Sequence, residues 1–183
     1  MVIKLDALDI SLIALFATLT TIGAYFQIPL LLVPITLQTL FTYLSGTLLG
    51  GRRGALSQLI YVLMGILGLP VYAGGKAGIT HLFGPTGGFL IGFIVGSYVI
   101  GVIIKNKETP GYIDFLLAIV FGTLIIYASG ISVLYYFVRG SWKVLISSII
   151  PFIPGDCLKI LLASYISYKC RPTVKILLPR AHY

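Results

Sequence analysis

One long apolar stretch indicates the fold class of this chain: it runs from Tyr112 to Val138 and reads YIDFLLAIVFGTLIIYASGISVLYYFV. It contains one charged residue, Asp114, and it exceeds the roughly 20 apolar residues that a helix needs to cross a bilayer. The whole chain shares this character, since 58% of its 183 residues are hydrophobic, 10% are charged and the mean hydropathy is +1.04. This composition excludes an ordinary soluble domain, and we predict an all-α integral membrane protein.

Comparable apolar segments lie on both sides of this stretch, and short Pro, Gly and charged connections separate them. We expect a tight basic turn at Gly51–Gly54 and a short interfacial helix at Val144–Ile150. Asp6 and Asp9 precede the first segment and no clean small-residue cleavage site follows it, so we expect this segment to stay as a membrane helix. We predict one bundle and a single domain over residues 1–183, with six spans at about residues 10–26, 35–50, 55–69, 85–104, 112–138 and 154–168.

The basic residues predict the orientation of the bundle. The formal net charge is +8, but the Lys and Arg residues cluster at the ends of apolar segments, which argues against a nucleic-acid partner. With six spans, both termini share one side. That side carries nine of the 13 basic residues: Lys4, Arg52, Arg53, Lys105, Lys107, Lys169, Arg171, Lys175 and Arg180. The other side carries Lys76, Arg139 and Lys143, and Lys159 lies within a span. By the positive-inside rule, both termini are predicted to be cytoplasmic.

Other site types find no support in the sequence. Gly75-Lys76 does not fit the phosphate-loop pattern G-x-x-x-x-G-K-[ST], so we predict neither nucleotide hydrolysis nor another enzymatic activity in this chain. Cys157 and Cys170 lack the spacing of a metal site or a disulfide framework. We therefore predict no metal and no cofactor.

Asp156 and Lys159 are the best pointer to function, because no other oppositely charged pair in the sequence is as enclosed by apolar segments. In a helix, residues three apart share a face. A charge near the bilayer centre costs roughly 2.5–3.5 kcal/mol, so such residues face a partner, a bundle interior or a polar cavity. The pair therefore indicates a polar ligand site, and the alternative is an ion pair that only braces the bundle.

The loop Gly68–Gly88 is too long and too rich in glycine for a plain hairpin turn. Glycine lets a backbone approach a ligand closely, and Pro85 is well placed to begin the next helix. The alternative is a flexible external loop. His81 stands alone in this loop, and we expect it to be a loop residue without partners rather than a ligand.

Five segments in the same order resemble the BioY family, the biotin-specific substrate-binding subunits (S components) of energy-coupling-factor (ECF) transporters. The segments are Val33–Thr39, Leu49–Gly54, Gly65–Gly75, Gly84–Phe89 and Pro151–Lys159. Each glycine motif alone is weak, but the ordered set from about Ala14 to Lys159 is specific. Tyr72 stands where the family pattern leads us to expect phenylalanine, which keeps the aromatic face and adds a hydroxyl. The resemblance implies six helices, cytoplasmic termini and a biotin pocket near the outer surface of a prokaryotic cell membrane.

The resemblance also implies roles for particular residues. Biotin has a ureido ring with two N–H donors and one carbonyl, a thiophane ring and a carboxylate tail. Asp156 is expected to accept from a ureido N–H, whereas Lys159 is expected to donate to the ureido oxygen or to the carboxylate. Gln38 is either a ligand residue or the donor and acceptor of helix-capping or interhelical hydrogen bonds. Further expected contacts are Gly74, Gly75 and Thr86 from the loop, and Tyr72 and Phe89 as walls for the thiophane ring. The alternative for the two aromatic residues is packing or anchoring at the membrane interface.

The first helix carries small residues four apart, at Ala14 and Thr18 and at Ala17 and Thr21. Such spacing lets helices approach closely. In the S-component family an alanine-based version of this pattern contacts the transmembrane coupling protein. The resemblance implies a coupling membrane protein and two ATPases as partners, besides biotin and membrane lipid. Uptake by the chain alone is the alternative to this assembly. Packing within the chain is the alternative, because threonine replaces the second alanine here.

Two other functions remain open from the sequence. The first is an S component for another small vitamin, with the same fold and a different pocket. The second is an ion-coupled secondary transporter or channel, which would use an intramembrane Asp or Lys for coupling. No inverted repeat supports the second function in this sequence.

Overall fold

Eight helices and one small β-hairpin form the described part of the chain. The structure is a computed structural model, and it describes residues 5–30, 32–105, 107 and 109–177. The hairpin strands are β1 (Gln27–Ile28) and β2 (Ile35–Thr36). The helices are α1 (Ala7–Tyr25), α2 (Gln38–Leu49), α3 (Gly51–Ile66), α4 (Ile79–Leu82), α5 (Gly87–Lys105), α6 (Tyr112–Phe137), α7 (Trp142–Ile149) and α8 (Phe152–Leu177).

Two acidic residues set the start of α1. The Asp6 carboxylate accepts from the Asp9 backbone N–H at 2.8 Å, and the Asp9 carboxylate accepts from the Asp6 backbone N–H at 3.3 Å. This reciprocal capping satisfies two of the free N–H groups at the helix start. Asp9 is 2% exposed and also pairs with Arg53 of α3 at 2.7 Å. Asp156 and Lys159 are therefore not the only enclosed ion pair, and sequence reading missed the second pair because its members lie 44 residues apart.

The second predicted span begins later than expected. Ile35 and Thr36 belong to β2, which pairs antiparallel with β1, and α2 starts at Gln38. Pro34 has no backbone N–H and disfavours the helical conformation at Val33, so the chain enters this region extended. The hairpin thereby brings Thr36 and Gln38 to the same end of the bundle.

The predicted turn at Gly51–Gly54 is wrong, because these residues form the first turn of α3. The reversal takes place at Gly50 alone, whose φ is +82°. Glycine adopts this left-handed conformation without a steric penalty, so α2 ends at Leu49 and α3 begins at Gly51.

Helix α2 occupies the centre of the bundle, and ten of its 12 residues are buried. It contacts α1, α3, α5 and α8, while α5 packs most extensively against α6. The main apolar core includes Phe16, Tyr43, Phe93, Phe115 and Ile119. A smaller apolar cluster joins Val33, Leu134, Leu145 and Phe152, where the hairpin, α6, α7 and α8 meet.

Within the described residues, three helices are long and apolar enough to cross a membrane, namely α1, α5 and α6. A 41° bend separates α7 from α8, and the pair counts as a fourth candidate if it forms one broken span. Helices α2 and α3 have 12 and 16 residues, fewer than the roughly 20 that a bilayer requires. The structure therefore supports a multi-pass membrane protein, and six spans stay a prediction.

Candidate ligand-binding site

A cavity opens at the end of the bundle where the hairpin, the loop between α3 and α5, and the start of α8 meet. Its open space for the centres of water molecules is about 90 Å³, several times the roughly 10–15 Å³ that one water needs. Apolar and polar side chains both line it, as is usual for sites that bind small organic molecules. The lining residues are Leu32, Val33, Pro34, Thr36, Gln38, Thr39, Tyr72, Ala73, Lys76, His81, Thr86, Phe89, Leu90, Phe93, Ile126, Tyr127, Phe152, Asp156 and Lys159.

Most of the predicted ligand residues come together in this cavity. Six of the eight line it: Gln38, Tyr72, Thr86, Phe89, Asp156 and Lys159. They come from α2, the loop, α5 and α8, so the cavity joins segments that are far apart in the sequence. Their assignment to a ligand is a proposal that rests on this shared location.

Gly74 and Gly75 are not among the lining residues. Both have positive φ values, 73° and 72°, in the turn that closes the backbone pairing of Tyr72 with Lys76. A side-chain carbon at Gly74 would come within 2.7 Å of the Gln27 amide nitrogen. These glycines therefore shape the turn that carries Tyr72 and Lys76 to the cavity.

Asp156 and Lys159 form the charged floor of the cavity. The Lys159 ammonium contacts Asp156 Oδ1, which confirms the predicted shared helix face. It also donates to the Thr36 carbonyl at 2.9 Å and to Thr39 Oγ1 at 2.8 Å. Asp156 is 4% exposed and Lys159 is 6% exposed, so both charges are buried and compensate each other.

Gln38 belongs to a hydrogen-bond chain next to this floor. Its amide oxygen accepts from Thr36 Oγ1 at 2.8 Å, and its amide nitrogen donates to the Tyr61 hydroxyl. Thr36 therefore connects two predicted site residues, because its hydroxyl bonds Gln38 and its carbonyl bonds Lys159. The interhelical hydrogen bond that was an alternative for Gln38 exists, and the side chain nevertheless borders the cavity.

Aromatic rings form one wall. Tyr72 is 3% exposed, and its ring meets those of Tyr61 and His81 edge to face at 5.8 and 6.0 Å. The Tyr72 hydroxyl donates to the Val62 carbonyl at 2.7 Å. The hydroxyl that distinguishes Tyr72 from the expected phenylalanine therefore joins the loop to α3. Burial raises the pKa of Tyr72 further above neutral pH, where the hydroxyl of an ordinary tyrosine is already protonated and able to donate. On the other side, Phe89 extends from α5.

The expectation for His81 is wrong in two respects. It lies in the short helix α4 rather than in a loop, and it has a ring partner in Tyr72. It also borders the cavity. Burial and the nearby charge of Lys76 lower its pKa, so the imidazole is neutral at pH 7.

Sequence reading missed four polar lining residues, Thr36, Thr39, Lys76 and Tyr127. The Tyr127 hydroxyl donates to Asp156 Oδ2, which joins α6 to α8. Thr39 accepts a hydrogen bond from Lys159, and its position in the Val33–Thr39 motif could have identified it as a site residue. The sequence signal for Tyr127 was weaker: this polar side chain lies well inside an apolar helix, whereas Tyr135 and Tyr136 lie near the end of that helix.

Lys76 is the cation at the mouth of the cavity. It is exposed, and no ion pair involves it among the residues that the structure describes. Since Asp156 and Lys159 cancel each other, Lys76 leaves the cavity with a net positive charge. An anionic group on a ligand would be favoured at this position.

The predicted partner surface on α1 is only partly at the surface. Ala14 and Thr18 are exposed, whereas Ala17 is 1% exposed and packs in the core. Thr21 is half-buried, and its hydroxyl donates to the Ala17 carbonyl at 3.1 Å. Ala14 and Thr18 are thus the members of this set that are available to a partner.

Comparison with known proteins gives three consistent results. The sequence matches the BioY family over residues 1–176. The protein named "Probable biotin transporter BioY" of Lysinibacillus sphaericus is 48% identical over 130 residues, which cover 71% of this chain and 66% of that protein. The biotin transporter BioY of Thermotoga maritima is 41% identical over 157 residues, which cover 86% of this chain and 92% of that protein.

A solved structure is similar over almost the whole chain. It is the crystal structure of the S component for biotin from an ECF-type ABC transporter, with a TM-score of 0.83 and 26% sequence identity. The similarity covers 94% of this chain and 95% of that chain. The overall arrangement of helices is therefore shared with that S component.

Proposed function

The chain belongs to the BioY family, and from this membership we propose that it captures biotin in the cavity described above and mediates its uptake across a membrane. The carrying observation is that Asp156, Lys159, Gln38, Tyr72 and other ordered motif residues meet in one cavity. The biotin S component is similar over 94% of the chain, which supports the same assignment. The chain supplies recognition and performs no chemistry of its own.

The polar floor suits the ureido ring. A carboxylate offers about four acceptor positions, and Asp156 uses two of them for Lys159 and Tyr127. It can therefore accept from a ureido N–H. Gln38 and Thr86 are further candidates for polar contacts. Lys159 would meet the ureido oxygen or the carboxylate only by giving up one of its three protein acceptors.

The cavity mouth suits the carboxylate tail. Lys76 provides the unpaired positive charge there, while Tyr72 and Phe89 provide apolar walls for the thiophane ring. Biotin would thus lie with its ureido ring on the charged floor and its tail toward Lys76. This orientation places the ureido N–H groups against an anionic acceptor and the carboxylate against a cation.

The proposed location is the plasma membrane of a prokaryote, with both termini in the cytoplasm and the cavity facing outward. The distribution of basic residues supports this orientation. Lys4 and Arg180, which count toward the cytoplasmic side, lie outside the described residues. Lys76, Arg139 and Lys143 lie on the proposed outer side, and Lys76 borders the cavity.

The proposed partners are a coupling membrane protein and two ATPases. The support is the likeness to an S component of an ECF-type ABC transporter, together with the absence of a phosphate-loop motif in the sequence. The exposed Ala14 and Thr18 give α1 a small-residue surface for close contact with the coupling protein. Ala17 and Thr21 are buried and half-buried, so they support the surface from within the bundle and do not form its exposed part.

Titration calorimetry on the purified protein tests the ligand. Biotin should bind with one ligand per chain, and other small vitamins should give no heat. A response to another vitamin together with none to biotin would assign a different S component. Uptake into proteoliposomes by the chain alone, abolished when an ion gradient is collapsed, would instead support an ion-coupled transporter.

A further inference from the structure

We infer that Tyr127 is a positioning residue for ligand selection, which holds Asp156 so that its free acceptor positions face the cavity. This inference rests on the proposed function, because it concerns the same site. The Tyr127 hydroxyl donates to Asp156 Oδ2, and both residues line the cavity. None of the sequence motifs contains Tyr127.

The hydrogen bonds at the floor show which group remains available to a ligand. Lys159 has three N–H donors, and the structure supplies three acceptors: Asp156 Oδ1, the Thr36 carbonyl and Thr39 Oγ1. The ammonium is therefore saturated before a ligand binds. Asp156 has one contact on each carboxylate oxygen and keeps acceptor capacity on both.

The two contacts of Asp156 come from different helices, which fixes the orientation of its carboxylate. Lys159 lies one turn further along α8, and its ion pair restrains Oδ1 from within the same helix. Tyr127 lies on α6 and restrains Oδ2 through a hydrogen bond between α6 and α8. Without the Tyr127 hydroxyl, Lys159 would be the remaining hydrogen-bonding partner of the carboxylate among the described residues, and it contacts only Oδ1.

An oriented acceptor selects ligands by their donors. The hydrogen-bonding positions left unused in this site belong to a carboxylate, so the site favours a ligand that presents N–H groups. A ligand with alkyl groups in place of those N–H groups binds less well, because the buried carboxylate then lacks a partner. Tyr127 should therefore matter for ligands with a free ureido N–H and should be nearly indifferent for ligands without one.

The test compares Tyr127→Phe with the wild-type protein, using biotin and a biotin analogue methylated on both ureido nitrogens. Tyr127→Phe keeps the ring and should weaken biotin binding about tenfold, a loss typical of a hydrogen bond to a charged group. It should change the affinity for the analogue less than about twofold. Tyr135→Phe, on the same helix with its ring against Trp142, is the matched control and should bind biotin like the wild type.

A double-mutant cycle with Asp156→Ala provides a second measurement. If Tyr127 acts through Asp156, then Tyr127→Phe should cost less than about twofold once Asp156 is absent. Equal losses for biotin and the analogue, or unchanged biotin affinity in Tyr127→Phe, would overturn the inference and leave the proposed function intact. Absence of biotin binding by the wild-type protein would instead overturn the proposed function.

Discussion

Asp156 combines a buried charge with unused hydrogen-bonding capacity, which distinguishes it from its neighbour Lys159. Both are nearly inaccessible, and each compensates the other. Yet the ammonium has three protein acceptors, whereas each carboxylate oxygen retains capacity. At the residue scale, Asp156 is therefore the more direct candidate for ligand contact, and Lys159 compensates its charge and restrains one of its oxygens.

Asp156→Asn should weaken biotin binding by about 1.5–3 kcal/mol, because a charge-assisted hydrogen bond is replaced by a neutral one. Calorimetry on the folded variant measures this loss. Asp6→Asn is the matched control, since asparagine caps a helix as well as aspartate and Asp6 is not among the cavity residues. Unchanged affinity in a folded Asp156→Asn protein would remove Asp156 from the site.

Lys76→Gln should weaken biotin binding by up to about fivefold, since an exposed ion pair contributes roughly 0.2–1 kcal/mol. Biotin amide, which lacks the carboxylate charge, should bind both proteins equally. The difference for biotin should shrink as salt is added. Lys143→Gln, an exposed change on α7, is the control, and an equal loss for biotin and its amide would contradict the carboxylate role.

At the scale of elements, the cavity depends on chain that is not helical. The hairpin β1–β2 and the loop that carries Tyr72 and Lys76 supply several of its walls, while α2 and α8 supply the floor. Irregular backbone at membrane depth is tolerated where it lines a polar cavity or is buried in protein. Ties between helices, such as Asp9 of α1 with Arg53 of α3, keep the opposite end of the bundle together.

Arg53→Gln should destabilise the protein by about 1–3 kcal/mol, because the buried Asp9 carboxylate loses its charged partner. The neighbouring Arg52→Gln is the matched control: Arg52 is exposed, no ion pair involves it among the described residues, and its change should stay within about 0.5 kcal/mol. Thermal unfolding in detergent, followed by loss of helical signal, measures both variants. Equal midpoints would show that the pair contributes nothing to stability.

For the whole molecule, the proposed orientation makes two sides of the membrane chemically distinguishable. With Cys157 and Cys170 replaced by serine, Lys143→Cys should react with a membrane-impermeant maleimide in intact cells. Lys107→Cys should react only after permeabilisation, because its connection is proposed to be cytoplasmic. Both lysines are exposed, so access decides the result. The reverse pattern would invert the proposed topology.

Much of the architecture was predictable because its signals are local. The apolar segments predicted α1, α5 and α6 to within a few residues, and Val144–Ile150 anticipated α7 at Trp142–Ile149. The boundaries near Gly50 and Ile35 were wrong, since a single positive φ and a short strand pairing decide them. Asp156 and Lys159 were found as an enclosed charged pair, and Gln38, Tyr72, Thr86 and Phe89 were found by resemblance to family motifs. That the six line one cavity required the structure.

From the sequence we could predict a membrane protein, helices that follow its apolar segments, and a shared helix face for Asp156 and Lys159. Those properties depend on neighbouring residues and on composition. The tertiary structure alone decided that Lys159 meets Thr36, 123 residues away, and that Tyr127 meets Asp156 across 29 residues. Such contacts depend on how helices pack, because a hydrogen bond is set by distances in space that no local pattern encodes.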